Sequence, residues 1–126
     1  MDTLLVEVRG RVHAPVDAVA AVLRDGLLTH RDEPGSSTVE ADDVRRVYAV
    51  QGGWWYRGEY TVAADGPGAA IVTHRVRNVA RRMRWGVGVA NRGFVGFDAR
   101  TRRDFAALLH AVAGALGTGS ELLADL

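Results

Sequence analysis

Apolar and polar residues alternate along 4–12, with Leu4, Val6, Val8 and Val12 on one parity and Leu5, Glu7, Arg9 and Arg11 on the other. That is the period of a strand with one buried face. At Pro15 the period changes: Val16, Val19, Ala20 and Leu23 recur at helical spacing, and Pro15 suits a first turn, where a missing N–H costs nothing. Asp25-Gly26 is expected to end this helix, with a second short helical piece at 27–31 before the loop 32–37. Strands are then expected at 38–42, 44–51, 54–64 and 69–79, joined through Asp42-Asp43, Gly52-Gly53 and Asp65-Gly66-Pro67-Gly68. Thr101-Arg102-Arg103-Asp104 reads as a variant capping box. Behind it Phe105, Leu108, Leu109, Val112 and Leu116 form one apolar stripe on a helix ending near Gly117, and 117–120 reads as loop and tail. This makes about five strands, with 84–95 able to supply another.

Parity on the central hairpin separates two surfaces. Trp54, Tyr56, Gly58, Tyr60 and Val62 fall on one side of their strand, with Trp55, Arg57, Glu59 and Thr61 on the other. On the next strand Ala70, Val72, His74, Val76 and Asn78 are the inward choice, because the opposite choice buries Arg75 and Arg77. Either plausible register then brings His74 within reach of Tyr56 and Tyr60.

Composition narrows the picture. One domain spanning 1–126 is expected; its 16 basic and 15 acidic side chains nearly cancel, so no bulk charge draws it to nucleic acid or an anionic membrane. The Arg run Arg75, Arg77, Arg81, Arg82 and Arg84 reads as a solvated row. Absence of Cys excludes a disulfide framework, a thiol nucleophile and Cys-ligated metal, and His13, His30 and His110 have no metal spacing. Gly86-Val87-Gly88 lacks the spacing of a phosphate-binding loop. No cofactor, metal or membrane span is expected, and the expected compartment is the cytoplasm.

The opening strand running into Ala14-Pro15-Val16-Asp17-Ala18-Val19-Ala20-Ala21-Val22-Leu23, the strand-like middle and the long final helix resemble the START/Bet v1-like (SRPBCC) superfamily, in its polyketide cyclase/dehydrase and lipid-transfer group. The resemblance implies an α+β helix-grip fold, a curved antiparallel sheet of about five to seven strands wrapped around a long C-terminal helix. It also implies a ligand cavity between them for a small hydrophobic molecule such as a polyketide, lipid or isoprenoid. Lining by Trp54, Tyr56, Tyr60, His74 and Trp85 is expected, with Trp54 and Trp85 nearer the mouth. If the domain is a polyketide cyclase or aromatase, the candidates for proton transfer are His74, Tyr60 and Tyr56. Two other readings stand beside it: a non-catalytic carrier, and a filled-core interaction module in which Trp55 and Leu5 mark a partner surface such as a homodimer contact.

Overall fold

The alternating N-terminal segment forms β1 (Thr3–Val12), and the helical pattern behind it forms α1 (Val16–His30), in a computed structural model that describes residues 3–30, 38–52, 56–78 and 97–123. The remaining elements are β2 (Thr38–Asp42), β3 (Val47–Gly52), β4 (Tyr56–Ala64), β5 (Ala70–Asn78), α2 (Phe97–Ala115) and β6 (Ser120–Leu122). All strand pairs are antiparallel, in the spatial order β2-β3-β4-β5-β1-β6. Both helices cover one face of this sheet, α1 against β2, β4 and β5 and α2 against β1 and β6. The α+β helix-grip architecture expected from the sequence is the one observed. Among the described residues no helix is long and apolar enough to cross a membrane.

The core lies between sheet and helices. Val8, Val12, Val62, Ala70 and Val72 meet Val19, Leu23 and Leu27 of α1 and Phe105, Leu109, Val112 and Ala113 of α2. Leu108 and Leu116, also in the stripe, are only partly buried at its margin. Gly10 is where helix and sheet come closest: a Cβ there would collide with Leu109 Cδ1 and lie 3.0 Å from the carbonyl oxygen of Glu121, so no side chain fits without displacing Leu109.

Several local expectations are corrected. Helix α1 continues through Gly26 to His30 instead of breaking at Asp25-Gly26, since burial of Leu23 and Leu27 on one stripe outweighs the roughly 1 kcal/mol penalty of an interior glycine. Helix α2 begins at Phe97, which places Thr101 inside the helix, not at its cap. Its C-terminus is as expected: Gly117 adopts φ 68°, Thr118 N–H donates to Ala113 O at 2.9 Å and Gly117 N–H to Gly114 O at 3.1 Å, a Schellman closure.

That closure aims the following residues at β1, where 120–122 form a sixth strand in place of a tail, paired through Gly10, Arg11 and Val12. The turn between β2 and β3 occupies 43–46, beyond the expected Asp42-Asp43 pair. Arg46 there takes φ 54°, with its guanidinium 2.8 Å from Asp17 and its carbonyl accepting from Val62 N–H. A bulge between Leu4 and Val6 sets Leu4 opposite Arg77, so the alternation that grouped Leu4 with Val6 and Val8 is broken at that point.

Candidate functional site

Strand register assembles the site. Tyr48 on β3 pairs with Tyr60 on β4, Tyr60 with His74 on β5, and His74 with Val8 on β1, making one transverse row on the helix-covered face. Helix α2 lowers Phe105 onto this row. The Tyr60 and His74 rings stack with centroids 4.2 Å apart and planes 13° apart, and Phe105 lies 5.7 Å from His74 at 17°. In the neighbouring row Gly58, between Val50 and Val76, leaves a position without a side chain beside Tyr60 and His74.

His74 is 4% exposed. Its Nδ1 lies 3.2 Å from the carbonyl oxygen of Glu59, and since a carbonyl only accepts, Nδ1 carries the hydrogen and donates it. Burial lowers the imidazole pKa to about 4, with that hydrogen bond opposing the shift, so the ring is neutral at physiological pH. The neutral ring then has its lone pair on Nε2. Among the described residues nothing hydrogen-bonds Nε2, yet no fully enclosed side-chain nitrogen or oxygen is left without a partner. Nε2 is therefore not fully enclosed by the fold. A buried acceptor at the edge of an aromatic cluster can orient a polar group on an apolar ligand, or accept a proton from one.

The structure thus brings together two of the expected residues, His74 and Tyr60, and adds Phe105, the Glu59 carbonyl and Tyr48. Tyr56 takes its place at the start of β4, in register with Asn78. Trp54 and Trp85, expected near the mouth, and Trp55 lie outside the described residues. Nothing in the sequence paired Phe105 with His74 specifically, although the inward parity of Tyr48 was readable from its place in the strand. Tyr48 is buried, donates its hydroxyl to Asp43 at 3.2 Å, and has its pKa raised by burial and by that carboxylate. It floors an open groove of about 210 Å³ beside α1, rimmed by the ion pairs Arg24–Asp43 and Arg46–Asp17. Among the described residues no group of three His, Cys, Asp or Glu side chains could hold a metal ion.

The opposite face of the same strands carries Arg57, Glu59, Arg75 and Arg77, as their parity requires. Arg77 pairs with Glu59 at 2.7 Å, Arg75 with Glu7 at 3.1 Å and Arg57 with Glu40 at 3.0 Å, the last pair lowering the Glu40 pKa.

A helix gripped by an antiparallel sheet, with aromatic side chains and one neutral histidine between them, defines a protein of the helix-grip class, so the likeness to the START/Bet v1-like superfamily holds at the level of the fold. Solved structures with this fold include the Zhui aromatase/cyclase from Streptomyces sp. R1128, with TM-score 0.61 and 17% identity over 89% of this chain and 94% of that one. The di-domain ARO/CYC BexL from the BE-7585A biosynthetic pathway gives TM-score 0.60 and 17% identity over 87% of this chain; the chain spans 45% of BexL. TTHA0849 from Thermus thermophilus gives TM-score 0.51 and 16% identity over 86% of this chain and 98% of that one. No protein-family profile and no curated protein matches the chain.

Proposed function

We propose that this domain binds a small, planar hydrophobic molecule between its sheet and α2, with His74 as the polar contact and Tyr60 and Phe105 as apolar wall. The observation that carries this reading is Nε2, without a hydrogen-bond partner among the described residues, at the edge of a buried ring cluster. Likeness to two aromatase/cyclases supports a polyketide-like aromatic ligand ahead of a fatty acid or isoprenoid. If the ligand is also turned over, neutral His74 takes the proton from an enolisable carbonyl compound, and Tyr60 and Tyr56 are the hydroxyl partners in a cyclase or aromatase reaction. Tyr56, Trp54 and Trp85 complete the proposed lining.

Thermal unfolding with a panel of aromatic polyketides, fatty acids and isoprenoids tests this. A ligand at a hundredfold excess over its Kd adds about 2.7 kcal/mol of stability, visible as a raised Tm, and His74→Ala reduces the rise. Enzymatic turnover of an accepted ligand separates cyclase from carrier. Close packing of Leu109 on Gly10 favours the rival reading, a filled-core interaction module. No shift across the whole panel would leave that reading standing.

A further inference from the structure

The Glu59 carbonyl does more than satisfy a buried imidazole. It is part of the main chain of β4, an interior strand of the sheet, and so can neither rotate away nor reverse its polarity when a ligand arrives. A side-chain partner such as a hydroxyl or an amide could do either. With Nδ1 committed as donor, Nε2 can only accept, and it is the nitrogen without a hydrogen bond among the described residues and not fully enclosed. Tyr60 covers one face of the imidazole ring, so the edge bearing Nε2 is the feature a ligand meets.

From this we infer that His74 determines specificity by demanding a hydrogen-bond donor: the site selects planar ligands that present an O–H, phenols and the enol forms of β-dicarbonyl compounds, over ethers, quinones and carboxylates of the same shape. An ether or quinone oxygen would place two acceptors face to face and leave both buried without a partner. A carboxylate would bring a charge to a neutral, apolar site. The inference rests on the binding reading above and narrows it.

Three naphthalenes of matched shape test it: 2-naphthol, 2-methoxynaphthalene and 2-naphthoate, titrated by calorimetry against the full chain near pH 7. The expected order is 2-naphthol tighter than the methyl ether by about tenfold or more, with 2-naphthoate weakest. In His74→Phe, which keeps an aromatic ring in the cluster, the hydroxyl preference falls to within about twofold. A nitrogen-15 NMR spectrum of the wild-type imidazole needs no variant: it should show hydrogen on Nδ1 and none on Nε2, with the Nε2 resonance moving when 2-naphthol binds. Equal affinity for hydroxyl and methoxy forms, tightest binding of the carboxylate, or hydrogen on Nε2 in the free protein overturns this inference while leaving ligand binding intact. Failure of all three naphthalenes to bind overturns the binding reading together with it.

Discussion

The two faces of β4 and β5 are built from alternate residues of the same strands, and they handle polarity in opposite ways. On the outer face Glu59, Arg75 and Arg77 are charged and half-exposed, each with an opposite charge within 3.1 Å. On the inner face His74 stands among Tyr60, Val72, Val76 and Phe105, 4% exposed and held neutral. Water explains the contrast. Exposed ion pairs exchange one good solvation for another and contribute little net stability, whereas a buried polar group must be uncharged and bonded or it destabilises the fold. Polar groups therefore matter little outside and much inside, and a single inner nitrogen can matter more to function than a row of outer charges.

The largest effect should come from the inner face. Leu109→Ala removes the side chain wedged against Gly10 and should cost about 2 to 5 kcal/mol in chemical denaturation, through lost burial and the cavity left behind. Gly10→Ala alone should cost about 1 to 3 kcal/mol by overpacking the same contact. Combined, the two should cost less than the sum of the single changes, because the shortened residue 109 vacates the space the new methyl needs. Strict additivity would mean that helix and sheet do not meet there as described.

A second effect is a dependence on pH that the inner-face histidine supplies between its ordinary and its lowered pKa. The His74 pKa lies near 4 in the folded chain against an ordinary value of 6.5, so between these limits the unfolded chain binds a proton that the folded chain does not. The stabilisation is complete above about pH 6.5 and is lost as pH falls towards 4. At about 1.4 kcal/mol per pH unit the gap amounts to about 3 kcal/mol. Urea titrations of wild type and His74→Phe between pH 7 and 4 should differ by this slope, and parallel profiles would contradict the burial of a neutral imidazole.

The smallest effect belongs to the outer face. A double-mutant cycle on Glu59 and Arg77, each changed to Ala, should return a coupling below about 1 kcal/mol that shrinks further in high salt, despite their 2.7 Å separation. A coupling as large as the Leu109 effect would erase the distinction between the two faces.

Much of this was legible in the chain. Parity placed Arg75 and Arg77 outside and His74 inside, the stripe from Phe105 to Val112 marked the buried side of α2, and Gly117 marked its end, because each is a local consequence of strand or helix period. What faces what was not legible. The meeting of Phe105 with His74, the need for glycine at position 10, the pairing of β6 with β1 and the bulge at Leu4 all depend on how segments distant in sequence come together. The hydrogen on Nδ1 is the clearest case: histidine carries two nitrogens of nearly equal claim, and only the carbonyl of Glu59, brought alongside by the β4–β5 register, decides between them. Sequence period determined which side chains turn inward, since that needs only the geometry of one element. Tertiary structure decided which nitrogen carries the hydrogen, since that needs a second element to supply the bond.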